Sequence, residues 1–315
     1  MGRTIVYGNL PALVKRDLEK FAVCPPVSIS NATDPCQDIP PLRDTVKELV
    51  RVLIDYGIPF SIITKNDPLF LLGVDGFEGY PDKCVAVTIE GTEKILGLLS
   101  PSAPPFRDRL KAVERLSSLG IRTSVRFDPV FPHLFRAIYG TRWQEEIESL
   151  IRAFASAGSR HVVSSTGTLK KRPASFHWGK TSSFERIRKV VETFSRAEAD
   201  SFSAQYIWDQ KYTSRGYRLG HGERLEFHRF LRGLCAGLGM TYAVCLELLS
   251  EEADSSGLPG CGGFRLPFVR KGPDGRFREI EGCSGNCLQC QPPVPPCGRN
   301  EFRSHAPFKR GMLLP

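Results

Sequence analysis

The sequence predicts an α/β fold, a partial TIM-like (β/α) barrel with a cysteine-rich irregular C-terminal tail, on three observations. Short apolar runs suited to strands alternate with amphipathic runs suited to helices, from the beginning of the chain to about residue 248. Polar residues recur directly after successive strand-like runs. Beyond Ser250 the alternation gives way to Gly, Pro and Cys with neither helical nor strand period. Repeated strand–helix units with short connections imply a parallel sheet, and about six of them favour a barrel over a doubly wound open sheet.

The elements follow in order. Leu10 to Phe21 carries apolar residues at helical spacing, and Val27-Ser-Ile-Ser is a short strand ending in the turn Asn31-Ala-Thr-Asp-Pro. Residues 42–56 form a helix stopped by Gly57, and residues 60–65 a strand. Val85 to Ile89 is a strand, 106–119 a helix capped by Gly120, and Ile121 to Phe127 a strand. Residues 143–157 read as a helix, His161-Val-Val-Ser as a strand and 183–197 as a helix. Glu223 to Leu238 is a helix and Thr241 to Leu246 the last strand. The organisation expected is a barrel over 1–248, with its first strand and the loop after it missing, and a metal-binding tail over 249–315.

With 315 residues and 41% hydrophobic content the chain has ample material for a core. No apolar run approaches the length of a membrane span, and Met1-Gly-Arg-Thr-Ile-Val-Tyr lacks the layout of a signal peptide, so a cytoplasmic protein without a membrane partner is expected. A net charge of +9 is compatible with a nucleic-acid partner and with a merely basic enzyme. The densest basic run, Lys170-Lys171-Arg172, is expected in a surface loop.

Parallel barrels do chemistry at the C-terminal ends of their strands. Those ends read Ser28, Ser30, Asn31, Thr33 and Asp34; Thr64 and Lys65; Thr88 and Glu90; Arg126 and Asp128; Ser164 and Ser165. Arg126 and Asp128 are the candidate catalytic pair. His177, Trp178, Tyr206, Trp208, Tyr212 and Tyr217 are aromatic groups that could stack on a base or pack the interior.

Five of the ten cysteines lie between Cys261 and Cys297, and three form the run Cys283-Ser-Gly-Asn-Cys287-Leu-Gln-Cys290. Clustered thiols in a cytoplasmic chain of this size point to metal. Three readings stand. The triplet could hold three irons of a reactive 4Fe–4S cube, or an auxiliary 4Fe–4S cluster or zinc ion with a fourth ligand from Cys297, Cys261 or Cys245, or no metal at all. Cys84 and Cys235 sit in apolar patterns and read as core.

The runs VSISNATDP at 27–35, PFSIITKND at 59–67, CVAVTIEG opening at Cys84 and SVRFDPVFP at 124–132 resemble radical S-adenosylmethionine proteins of the spore photoproduct lyase-like group. The resemblance covers about residues 3–165. It implies a partial barrel, a 4Fe–4S cluster, S-adenosylmethionine, an electron donor such as flavodoxin or ferredoxin, and a 5′-deoxyadenosyl radical that abstracts hydrogen from a substrate, with nucleic acid a candidate. Carried over by position, Ser30, Asn31, Thr33 and Asp34 with Lys65 would lie along the cofactor's ribose or carboxylate, and Thr88 stands where relatives place a serine near it. Relatives carry the cluster cysteines just ahead of the helix beginning near Asn9, a stretch this sequence is expected to lack, and Gln289 stands where their aromatic residue precedes the last cysteine. Two alternatives remain: a degenerate barrel with a structural metal site acting as a non-catalytic binding module, and an unrelated hydrolytic or isomerising barrel.

Overall fold

The structure is a computed structural model describing residues 5–29, 33–171, 181–209, 216–248, 262–285, 287, 290–303 and 313–314. Its strands are β1 (Val23–Cys24), β2 (Val27–Ile29), β3 (Phe60–Thr64), β4 (Lys83–Thr88), β5 (Thr123–Phe127), β6 (His161–Ser164), β7 (Tyr206–Asp209), β8 (Gly216–Leu219), β9 (Thr241–Val244), β10 (Val269–Lys271) and β11 (Phe277–Glu279). Six of them form one sheet in the order β2-β3-β4-β5-β6-β9. The pairs β2/β3, β3/β4, β5/β6 and β6/β9 are parallel. This is the partial TIM-like arrangement that the alternation predicts.

Burial explains why these strands read as continuous apolar runs. Every residue of β4 and of β6 is buried, as in a parallel sheet covered on both faces. Helices cover the sheet through apolar stripes: Val46, Leu49, Val50 and Leu53 of Pro40–Tyr56, and Ile147, Leu150, Ile151 and Phe154 of Trp143–Ser156. Gly57 ends the former in the left-handed conformation, φ +75°.

Three features depart from the sequence expectation. The helix expected over 183–197 is two, Ser183–Glu192 and Arg196–Gln205, because Ser195 leaves the helix and caps the second one by accepting the Glu198 amide. An antiparallel β7–β8 hairpin follows. The tail is not without strands either: β10 pairs with β11 around a turn closed by Gly275, φ +79°, and β1 pairs with β10. No described helix is long and apolar enough to cross a membrane.

By contacts the chain divides into two compact units. One comprises Met1–Val87, Lys111–Ser124 and Leu258–Pro315; the other comprises Thr88–Leu110 and Val125–Gly257. The second unit contains the most completely buried ion pair. Arg109 of the helix Phe106–Ser118 places Nη1 2.7 Å from Glu90 Oε2, with side-chain exposures of 0% and 1%. Every nitrogen of its guanidinium is engaged, Nη1 also donating to the Thr88 carbonyl, Nε to the Pro104 carbonyl and Nη2 to Ser100 Oγ. Removing one partner strands the other charge in the interior. Glu90→Ala therefore destabilises the fold by about 3–5 kcal/mol, measured by urea unfolding; a loss under about 1 kcal/mol would show that the pair is dispensable.

Candidate functional site

The turn after β2 is tied to the end of β3 by a single carboxylate. Asp34 Oδ1 accepts the Thr64 hydroxyl at 2.7 Å and the Cys36 amide at 2.9 Å, and Oδ2 accepts the Lys65 amide at 2.6 Å. The residue read as a cofactor contact thus serves as a latch that sets where Lys65 leaves the strand. Lys65 is half-buried and Thr33 exposed, whereas Ser30 and Asn31 lie outside the described residues. Cys36 is fully buried, and burial pushes its thiol up to about 12, so it is a packing residue and not a thiolate.

The second unit gathers another polar group at the ends of β5, β6 and β9. The Arg126 guanidinium and the Ser165 hydroxyl both donate to Asp128, one to each carboxylate oxygen. Arg126 Nη2 also stands 3.4 Å from Cys245 Sγ. Arg126, Asp128 and Cys245 are each partly exposed, which leaves the group reachable by a ligand. Thr88, at the end of β4, is buried to 4% exposure, with its carbonyl held by Arg109. Sequence reasoning missed a further buried set. Glu247 Oε2 accepts from the Thr166 amide and hydroxyl and lies 3.2 Å from His228 Nε2, while His228 Nδ1 meets the Tyr242 hydroxyl at 2.6 Å. Its one sequence signal was a carboxylate directly after the last strand.

The aromatic candidates separate by burial. Tyr206 packs on Phe202 and donates to the Thr166 carbonyl, whereas Trp208 is 47% exposed. His177, Trp178, Arg172 and Tyr212 lie outside the described residues. Lys171 of the basic run is engaged, its ammonium 4.2 Å from the Tyr217 ring centroid.

Within the first unit the tail lies at the opposite end of the strands from Asp34 and Lys65. Its contacts fall on residues that precede strands. Arg122, just before β5, donates to the Arg265 carbonyl at 3.0 Å. A Cβ on Gly57, before β3, would stand 2.4 Å from the Phe277 carbonyl oxygen. Burial raises the Asp82 carboxyl just before β4, and the charges of Arg122, Glu279 and Arg265 act on it. Strand β3 alone separates the two ends by about 16 Å at the usual rise per residue.

There, Cys283, Cys287, Cys290 and Cys297 line one small cavity with Phe302 and Arg303. Burial, then the neighbouring Cys283, Cys297 and Cys290 thiols, pushes the Cys287 thiol up to about 12. Among the described residues no three potential ligands stand close enough to grip an ion as they are placed. Of the three possible fourth ligands, Cys297 lines this cavity, Cys245 partners Arg126 and Cys261 lies outside the described residues. Cys84 and Cys235 are buried core, as their apolar surroundings predict.

The Asp34 latch can be tested directly. Asp34→Ala removes the carboxylate that accepts the Lys65 and Cys36 amides and destabilises by about 2 kcal/mol. Hydrogen exchange at those two amides accelerates in the variant; unchanged exchange would mean that the latch does not hold the loop.

No protein-family model matches the chain. It is 25% identical over 314 residues to the radical SAM Nalpha-GlyT isomerase of Pseudomonas phage M6, covering 93% of this chain and 61% of that protein. An uncharacterized protein, ORF301 of Acidianus two-tailed virus, is 27% identical over 108 residues, 34% of this chain and 35% of that one. The chain therefore spans about three fifths of the phage protein's length and about a third of the other's. Among solved structures it is similar to spore photoproduct lyase complexed with dinucleoside spore photoproduct, at TM-score 0.51 and 15% identity over 77% of this chain and 68% of the lyase. A mutant of the lyase superposes over the same shares with TM-score 0.53. A sequence match to a radical S-adenosylmethionine isomerase running nearly the whole length of the chain, and a fold similar to that of spore photoproduct lyase, both support the likeness to radical S-adenosylmethionine proteins read from the sequence.

Proposed function

We propose that the chain is the cofactor- and substrate-binding barrel of a radical S-adenosylmethionine enzyme acting on nucleic acid. The observation that carries this reading is the group Arg126, Asp128, Ser165 and Cys245 at the C-terminal ends of parallel strands, the end at which such barrels do chemistry. The zwitterionic methionyl end of S-adenosylmethionine calls for a cation beside its carboxylate and acceptors beside its ammonium. Lys65 in the first unit is a cation of that kind, and in the second unit Arg126 is a cation and Asp128 an acceptor, so each unit carries groups that suit the cofactor in their chemistry.

When bound and reduced, S-adenosylmethionine supplies a 5′-deoxyadenosyl radical that abstracts hydrogen. This chain's residues bind and orient for that chemistry. Asp34 fixes the backbone from which Lys65 projects. Asp128, held by the Ser165 hydroxyl, fixes the Arg126 guanidinium. Nucleic acid as substrate is supported by the +9 charge and by the dinucleoside photoproduct bound in the lyase relative.

The tail thiols do not fit the reactive 4Fe–4S cluster. They stand at the strand ends away from Lys65, and the Cys283-x3-Cys287-x2-Cys290 spacing alone does not make them its ligands.

Calorimetry with S-adenosylmethionine on anaerobically reconstituted protein separates these roles. Lys65→Ala weakens binding by about 1.5–3 kcal/mol, the scale of a lost charge-assisted hydrogen bond, and Cys287→Ala leaves it unchanged. Equal affinity in the Lys65 variant, or binding lost in the Cys287 variant, contradicts the assignment.

A further inference from the structure

The tail presents four thiols to one cavity. Cys283, Cys287, Cys290 and Cys297 line about 10 Å3 of free space, close to the room of one water molecule. A single ion takes four sulfurs at about 2.3 Å, and four thiolates without carboxylate or imidazole among them suit zinc. We propose that these four cysteines hold one zinc ion in a closed tetrathiolate site that clips the tail to the N-terminal ends of the strands.

The surroundings supply what such a site needs. Four thiolates around Zn2+ carry a net charge of −2, and arginines stand beside it. Arg303 Nη2 is 3.6 Å from Cys290 Sγ, and Arg299 also lines the cavity. Arg303 donates to the carbonyls of Pro292 and Pro293 as well, tying together the segment that leads from Cys290 to Cys297. The Cys283 carbonyl accepts Arg265 Nε at 2.9 Å, which anchors the first ligand to the hairpin side.

The energetic need is equally plain. The tail's buried cluster comprises Phe268, Ile280, Cys297, Phe302 and Leu313, joined by Val23 of β1. So small an apolar core does not hold an irregular segment by itself, and metal binding contributes folding free energy outright. Loading draws the four sulfurs inward, breaks the contact of Cys297 Sγ with the Arg299 carbonyl, and releases four thiol protons for one Zn2+ bound. Zinc affinity consequently rises with pH.

The test is the metal content of the full chain purified from zinc-supplemented cells, with cobalt substitution as the spectroscopic check. The expected result is about one zinc per chain, and a cobalt form with the intense sulfur-to-metal charge transfer and visible bands of a tetrathiolate. Cys297→Ala loses the zinc, Cys297→His keeps it, and Cys261→Ser keeps it. Retention guards against the variants merely failing to fold. Zinc unchanged in Cys287→Ala/Cys297→Ala, loss in Cys261→Ser with Cys297→Ala still loaded, or iron with acid-labile sulfide in place of zinc would each overturn the proposal. None of these readouts involves S-adenosylmethionine, so failure here leaves the catalytic reading standing and the converse holds too.

Discussion

Parallel strands run out into loops whose first amides and hydroxyls have no partner in the sheet, and this chain meets that constraint with carboxylates. Asp34 after β2 takes three donors, Glu90 after β4 takes Arg109, Asp128 after β5 takes Arg126 and Ser165, and Glu247 after β9 takes Thr166. A buried carboxylate is tolerable only when its oxygens are engaged. The division of labour follows from burial. Glu90 and Glu247, at 1% and 2% exposure, are spent on holding loops, whereas Asp128 is open enough to meet a ligand.

The same logic distinguishes the two kinds of thiol chemistry. A reactive cluster must stand beside the sulfonium of its cofactor, which the proposed function puts at the end where Lys65 emerges. The tail hairpin instead packs against Gly57, Asp82 and Arg122, which precede strands. A CxxxCxxC spacing is therefore a statement about ligand reach along the chain, and the fold decides which reaction, if any, the ligands serve. In the proposed reading the spacing serves the tail.

Much of this was legible beforehand, for reasons that can be named. All six strands of the parallel sheet appear where apolar runs predict them, because buried parallel strands leave a continuous apolar signature. The break at Ser195 was readable from Ser195 and Glu198 at capping spacing, and the β10–β11 turn from Gly272-Pro-Asp-Gly275. Both were hidden by reading composition ahead of turn chemistry. Arg109 was not legible: its partner Glu90 lies 19 residues away, across a connection, and a lone arginine on an amphipathic helix looks solvated. Nor was the choice between Cys245 and Cys297, since only the fold shows that one partners Arg126 and the other the tail cavity.

In the reading proposed here, cofactor binding and tail metal occupy opposite ends of the same strands. Anomalous diffraction at the zinc and iron edges, from anaerobic crystals grown with S-adenosylmethionine, tests it most directly. The predicted result is cofactor density beside Lys65 and a lone zinc peak among Cys283, Cys287, Cys290 and Cys297. An iron cube on those cysteines with S-adenosylmethionine bound to it would contradict it.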